Sequence, residues 1–511
     1  MLPLWPHQER GVRQCVSGIE SGWRNFCLTS PTGGGKSRMM YELIRYARSR
    51  DWSVTLYATR NMLIQQLMKV MDGYGLSYGV RASDFQQYEN LDLPIQIASI
   101  KTEESRVFER KQRNLHYSKL VLWDEAHMQK AGIAETIYMA HAEQGAINAG
   151  ITATPLGLSH LYDNLVVAGN NTEMRQCGAH VPCYVYAPNE PDLKGVRRDK
   201  TGEYVIGGKK HSIWTQSVVG SVIENYNILN PERKPTLLFA PGVKESIWFV
   251  NQLEAAGIRA AHIDGSDVYY NGQDYPTSPD RRDYIVEEWR AGRIDVVCNR
   301  FVMREGIDIT ELYHIILATP IGSLLSYLQA VGRELRNHES LDHVILQDHG
   351  GNIWQHGSPN ENRDWKRLWK MDEREVSTER AKNKNDSEEK EPIVCPKCTA
   401  VRLKGPECIT CGFKHTKSVR MVVQKDGTLK RQSDDAQKKR KQQKKTDHEA
   451  LWTKCYFIAK NSRMSFKQAA WMYKDKAGHW PKKDMPYMPT DEHGWARLVK
   501  DVPVTDLIGR K

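Results

Sequence analysis

Ser30-Pro31-Thr32-Gly33-Gly34-Gly35-Lys36-Ser37 follows the apolar run Asn25–Thr29 and precedes a stretch, Arg38–Arg48, with helical composition. Glycines at this spacing let backbone N–H groups wrap phosphate oxygens. At the entrance of the helix, Lys36 can reach β- and γ-phosphates and Ser37 can ligate Mg²⁺. Thr32, Gly33, Gly34, Gly35, Lys36 and Ser37 are therefore read as a nucleotide cradle. Ser30 stands where the G-x-x-x-x-G-K-[ST] pattern has its first glycine, which relaxes only the start of the turn. Triphosphate hydrolysis also needs a carboxylate for the metal and one for water. The apolar run Lys119–Trp123 delivers Asp124, Glu125, Ala126 and His127 at its end, so that Asp124 would hold Mg²⁺ through water and Glu125 would polarise the attacking water.

These residues need strands that end side by side. Between about residues 10 and 165, short apolar runs (Asn25–Thr29, Ser53–Ala58, Ile95–Ile100, Leu120–Trp123, Ala146–Thr152) alternate with longer amphipathic stretches. That alternation predicts a parallel sheet with helices on both faces. A Pro-, Gly- and charge-rich interval, roughly 186–212, reads as a connector or a β-rich excursion. The alternation restarts with Thr236–Ala240, Arg259–Ile263, Ile294–Cys298, His314–Ala318 and His343–Leu346, which predicts a second α/β unit.

With both acidic and glycine-rich elements in place, the chain resembles the superfamily 2 helicases of the DEAD/DEAH-box type over roughly residues 1–360. Trp5-Pro6-His7-Gln8 looks like the adenine-reading segment, with Gln8 on the base edge, and Ala58–Leu67 lies where that family touches the nucleic-acid backbone. Thr152-Ala153-Thr154-Pro155 looks like the segment that, with His127, couples nucleotide state to the strand-binding surface. In the second unit, Gly306 and Asp308 resemble the Gly-x-Asp element beside the ribose, and Gln329, Gly332, Arg333 and Arg336 match Q-x-x-G-R-x-x-R. Three residues apart on one helix face, Arg333 and Arg336 would present two guanidinium groups to the γ-phosphate from the opposite domain. Gln347-Asp348-His349-Gly350-Gly351-Asn352 is similar to the RadD-like and bacteriophage helicases, in which a cysteine-rich segment often follows.

Such a segment is present. Cys395-x-x-Cys398 and Cys408-x-x-Cys411, nine residues apart, have the spacing of a closed Cys₄ zinc ribbon with a structural role, the alternatives being an iron–sulfur cluster or free thiols. Close pairing of four of the ten cysteines argues for metal ligation in a reducing compartment over a disulfide framework. Gln437–Lys445 is a basic run without apolar residues, expected as a tether or solvated helix that grips phosphates without reading sequence. Ser465 is positioned to cap a helix running to about Lys476. The aromatic residues around that helix are expected to form the core of a small helical domain, with stacking on unpaired bases as the alternative.

The fold expected is α/β, two tandem RecA-like domains plus the ribbon and a helical C-terminal domain. The boundaries read as 1–165 for the first RecA-like domain, 166–215 for a connector and 216–371 for the second. They continue as 372–392 for a charged linker, 393–417 for the ribbon, 418–448 for a basic linker and 449–511 for the C-terminal domain. At 511 residues, with 40% hydrophobic and 26% charged residues, the chain can build several cores, and global disorder is excluded. A net charge of +11 suits a polyanionic partner. No apolar run reaches the roughly 18–20 residues of a membrane span, so an intracellular, cytoplasmic protein is expected. The resemblance implies an ATP-driven DNA helicase or translocase with ATP and Mg²⁺, in replication, repair or recombination, with an RNA helicase or remodeller and an inactive nucleic-acid-binding scaffold as alternatives. The structural Zn²⁺ follows from the cysteine spacing, and nucleic acid is the expected partner, DNA ahead of RNA. Protein partners are expected, if anywhere, at the ribbon or the C-terminal domain.

Overall fold

In a computed structural model, all ten apolar runs named above are strands, buried on both faces of two sheets. The structure describes residues 3–129, 132–188, 218–219, 221–264, 267–276, 279–300, 312–332, 335, 341–371, 393–394, 401–402, 424–425, 428–482, 484–489, 492–497 and 499.

The first sheet is wholly parallel, in the order β3-β4-β2-β5-β6-β1-β7. Its strands are β1 (Asn25–Thr29), β2 (Val54–Ala58), β3 (Gly79–Arg81), β4 (Ile95–Ser99), β5 (Leu120–Asp124), β6 (Ile147–Thr152) and β7 (Asn164–Val167). Side chains alternate across the pleat, so each strand feeds two cores. Phe26, Leu28, Leu120 and Leu122 pack on one face, whereas Cys27, Val121 and Trp123 pack on the other. This double burial explains why the runs are continuously apolar. Helix α1 (Pro6–Glu20) and helix α2 (Lys36–Arg48) contribute Cys15, Ile19, Met39, Leu43 and Ile44 to the first of these cores.

The second sheet runs β13-β12-β11-β14-β10-β15-β16-β8-β20. Its members are β8 (Cys183–Pro188), β10 (Thr236–Phe239), β11 (Ala260–Ile263), β12 (Asp267–Tyr270), β13 (Gln273–Pro276), β14 (Val296–Asn299), β15 (His314–Leu317), β16 (Val344–Asp348) and β20 (Leu429–Gln432). From β11 through β8 the pairing is parallel, and β12, β13 and β20 add antiparallel edges. Short strand pairs lie outside the two sheets: β9 (Val218–Val219) with β19 (Gln424–Lys425), and β17 (Ile393–Val394) with β18 (Val401–Arg402).

Three boundaries differ from the sequence reading. Strand β7 crosses residue 165 and completes the first sheet, while β8, inside the expected connector, is a full member of the second sheet beside β16. The expected basic linker contributes β20 to the edge of β8 and then becomes the first turns of a helix, Ala436–Asn461. The end of the second segment returns to the first lobe, where the Gly157 and Ser159 N–H groups donate to the Leu368 and Trp369 carbonyls and Trp369 joins the Trp123 core.

Residues 435–511 form a separate compact unit. Ser465 caps the helix Phe466–Ala477 in a reciprocal capping box with Gln468. That helix and Ala436–Asn461 enclose Trp452, Cys455, Tyr456, Ala469, Ala470 and Tyr473. The core reading therefore accounts for most of the aromatic residues. Among the described residues, no helix is long and apolar enough to cross a membrane.

Candidate nucleotide and coupling site between the lobes

Strand order alone juxtaposes the two halves of the first-lobe site. Strand β6 lies between β5 and β1, with Thr152 opposite Thr29 and Ile151 opposite Asp124. The P-loop leaving β1, the acidic pair leaving β5 and the Thr152–Thr154 segment leaving β6 are thus neighbours at the carboxyl ends of parallel strands, where open α/β sheets bind ligands.

Gly33 and Gly35 have φ of +81° and +74°, and Gly35 caps α2 in the left-handed region, so Lys36 opens that helix. A Cβ on Gly34 would lie 2.2 Å from Ser30 Oγ, and one on Gly35 would lie 2.1 Å from Gln8 Nε2. Ser30, the departure from the glycine pattern, is therefore fitted into the turn by the missing side chain at Gly34. Its Oγ and Thr154 Oγ1 are buried without a hydrogen-bond partner among the described residues. These orphaned polar atoms and the side-chain-free cradle fit a phosphate-bearing ligand.

Gln8 is buried and turned toward the loop: its Nε2 donates to the Gly34 carbonyl at 3.2 Å, and its Oε1 accepts from Trp5 N–H at 3.0 Å. His7 Nε2 donates to the same carbonyl at 2.9 Å; burial holds the imidazole below its ordinary pKa, and the bond to Gly34 opposes that shift only in part. The sequence reading passed over His7, although it sits beside Gln8 in the quoted segment. It also passed over His180, whose Nε2 donates to the Thr32 carbonyl at 2.5 Å. No sequence signal singles out His180, because it lies in the interval read as a connector.

At the end of β5, Asp124 Oδ1 accepts the Glu125 N–H at 3.0 Å, and Glu125 has a φ of +47°. A non-glycine residue in this region carries backbone strain of about 1–3 kcal/mol, a cost typically found at functional positions. His127 is 5% exposed and joins three elements. Its Nδ1 lies 2.9 Å from Thr152 Oγ1 and 3.3 Å from Glu125 Oε2, and its Nε2 lies 2.7 Å from Gln329 Nε2 of the second lobe. With the Gln329 amide nitrogen donating, Nε2 accepts and Nδ1 carries the proton. Thr152 Oγ1 also accepts the Thr154 N–H at 3.1 Å.

Gln329 lies on the helix Leu324–Val331, capped by Ser323. Gly332 ends it, and a Cβ there would lie 3.0 Å from Thr32 Oγ1 of the P-loop. Thr32, Thr154, His180, Gly332, Arg363 and Trp365 border one cavity between the lobes. The Gln347–Asn352 segment braces this helix from behind. Asn352 Oδ1 accepts Ile321 N–H, its Nδ2 donates to the Thr319 carbonyl and to Asp348, and Asp348 accepts Ile353 N–H. Burial pushes the Asp348 carboxyl up to about 6.

The structure thus brings together Thr32, Gly33, Gly34 and Gly35 on the loop, Lys36 and Ser37 at the start of α2 and Gln8 from α1, with Asp124, Glu125, His127, Thr152 and Thr154 beside them and Gln329 facing them. Gly306, Asp308, Arg333, Arg336, Cys395, Cys398, Cys408 and Cys411 lie outside the described residues. Among the described residues, no group of three or more His, Cys, Asp or Glu side chains is placed to hold a metal ion.

Comparison with known proteins agrees with this geometry. Residues 1–157 match the family model "Type III restriction enzyme, res subunit", and residues 220–338 match "Helicase conserved C-terminal domain". A 51.5 kDa protein of Lactococcus phage (isolate 7-9) is 26% identical over 391 residues, 75% of this chain and 77% of that protein. The candidate ATP-dependent helicase IRC3 of Saccharomyces cerevisiae is 24% identical over 376 residues, 68% of this chain and 51% of its own length. Its Schizosaccharomyces pombe counterpart, a candidate mitochondrial ATP-dependent helicase, is 24% identical over 367 residues, 68% of this chain and 57% of its own. The chain therefore spans only about half the length of the yeast relatives. With the two family models in tandem over two parallel-sheet lobes, the P-loop on one and the Gln329 helix on the other, the chain belongs to the superfamily 2 helicases.

Proposed function

We propose that the protein is an ATP-driven DNA translocase or helicase of the RadD-like and bacteriophage subgroup, acting on single-stranded or branched DNA in replication, repair or recombination. One observation carries this reading: the helix ending at Gly332 meets the P-loop and the acid-bearing strand of the other lobe, through Gln329 on His127 and Gly332 against Thr32. Arg333 and Arg336 follow directly in sequence, and in this reading they offer cationic groups to a γ-phosphate seated at Lys36.

In this reading Lys36 and the N–H groups of Gly33–Gly35 bind the triphosphate of ATP, and Glu125 orients water toward it. Asp124 and Ser37 would hold Mg²⁺, which screens the phosphate charge when bound. His127 reports the occupancy of the site to Thr152 on one side and to Gln329 on the other. Loss of the γ-phosphate removes the ligand of both lobes, and the grip on the strand shifts as the lobes separate. The four cysteines would hold a structural Zn²⁺. Support comes from their spacing and from the antiparallel pairing of β17 with β18, which brackets Cys395 and Cys398 as a knuckle requires.

The test is ATP turnover of wild type and Lys36→Ala across single-stranded DNA, forked DNA and RNA at one stated salt concentration. Stimulation of wild type, largest on DNA, with loss of at least about 100-fold in the variant, is expected for a group that stabilises transferring phosphate charge. Equal silence of both proteins on every polynucleotide refutes the enzyme, and strongest stimulation by RNA refutes the substrate. Zinc retained by purified wild type and lost from Cys395→Ser is the matching result for the ribbon.

A further inference from the structure

The positive charge of the chain is concentrated at one end. Residues 435–511 hold 18 Lys and Arg against 9 Asp and Glu, whereas residues 1–434 hold 55 against 53. The two lobes are close to neutral as a whole, and nearly all of the net charge of +11 belongs to the small C-terminal unit.

That unit also displays aromatic surface that its own core does not use. Trp452, Tyr456 and Tyr473 are fully enclosed, but Trp471 and Trp480 are 52% and 45% exposed. The two indoles meet edge to face, with ring centroids 5.0 Å apart at 71°. Lys474 Nζ lies 4.8 Å from the Trp471 ring and 4.5 Å from the Trp480 ring. His479 precedes Trp480 and packs 4.8 Å from His448 and 5.6 Å from Tyr473. Burial, then His479, Lys444 and Lys482 hold the His448 imidazole below its ordinary value, so both ammonium groups are within electrostatic reach of that ring.

A lysine over an exposed indole gives one surface that can attract a phosphate and stack on a planar base. Single strands offer both, because their base faces are uncovered and their phosphates track alongside; duplex DNA hides the base faces. We propose that Trp471, Trp480 and Lys474 form a stacking site for single-stranded DNA on the C-terminal unit, with Lys444 and Lys482 following the backbone. The choice of DNA rests on the function proposed above; the site itself rests on the charge distribution and the paired indoles.

The experiment uses the full chain and compares wild type, Trp471→Ala/Trp480→Ala, and Trp471→Phe/Trp480→Phe. Fluorescence anisotropy measures binding of a thymidine oligonucleotide, an abasic oligonucleotide of equal length and a uridine oligonucleotide at one salt concentration. Expected is a loss of about tenfold or more for thymidine in the alanine variant, recovery to within about threefold in the phenylalanine variant, and no change for the abasic strand. Unchanged thymidine binding in the alanine variant overturns the site, as does an equal loss on the abasic strand. Tighter wild-type binding of uridine than of thymidine overturns the assignment to DNA. ATP turnover measured on the same samples separates the two proposals. Wild type that binds through the indoles without stimulated turnover sinks the motor and leaves the stacking site, and stimulated turnover with unaltered binding by the alanine variant does the reverse.

Discussion

Breaking the Gln329–His127 contact should cost ATP turnover in a calculable amount. Gln329→Ala removes one hydrogen bond of 2.7 Å to a histidine that is 5% exposed, and leaves the bond of that histidine to Thr152 intact. A bond of this kind contributes about 1 kcal/mol net, which is about fivefold in rate. His127→Ala loses the bonds to both Gln329 and Thr152, about 2 kcal/mol or roughly thirtyfold. Because the Gln329 bond is counted in both single variants, the double variant should resemble His127→Ala, with a coupling energy of about 1 kcal/mol. The assay is steady-state ATP turnover with saturating single-stranded DNA, and kcat should fall with little change in KM for ATP if the contact acts on closure of the cleft and not on nucleotide affinity. Additive effects, to within about 0.3 kcal/mol, would refute the proposed link between the lobes. So would a rise in KM at constant kcat, which marks uniform binding.

Two stability predictions follow from buried ionisable groups. Burial lowers His141 to about 4 and His314 to about 3, so both stay neutral in the fold while the unfolded chain takes up protons below its ordinary value of 6.5. Their contribution is present above pH 6.5 and declines as pH falls, by about 1.4 kcal/mol per unit for each histidine. The raised carboxyl of Asp348 works the other way, with a contribution that is fully present below 3.8 and lost as pH rises through about 6. The urea midpoint should therefore drop from pH 7 to pH 5, and His314→Phe, which keeps the stack on Tyr226, should shrink the slope; an unchanged slope excludes His314 as a cause. Arg81 and Glu103 form an ion pair at 3.0 Å, with side chains 4% and 0% exposed, and Arg113 also reaches Glu103. Arg81→Ala should destabilise the first lobe by about 3 kcal/mol in urea unfolding, because Glu103 is left with less compensation; a loss under about 1 kcal/mol contradicts this.

Local chemistry and period were legible in the residues themselves. Gly33–Ser37, Asp124 and Glu125 declare a phosphate and metal site by type and spacing, and the continuous apolar runs declare strands covered on both faces. Strands with mixed faces were missed. Cys183–Pro188 alternates buried and half-buried residues one strand in from the edge of the second sheet, and Leu429–Gln432, the edge strand itself, is largely polar because it pairs on one side only. Periodicity cannot distinguish such segments from linkers, and only pairing with β16 and β8 makes them strands.

By itself, the sequence determined which atoms are available for chemistry and that two parallel sheets would carry them, since backbone geometry links glycine spacing, strand period and helix entry to nearby residues. Only tertiary structure decided who meets whom. His180 reaches Thr32, Gln329 reaches His127, and Trp471 and Trp480 are left outside a core that takes Trp452 and Tyr473. Those outcomes depend on the approach of segments distant in the chain, where packing selects one arrangement among many that the same local pattern allows.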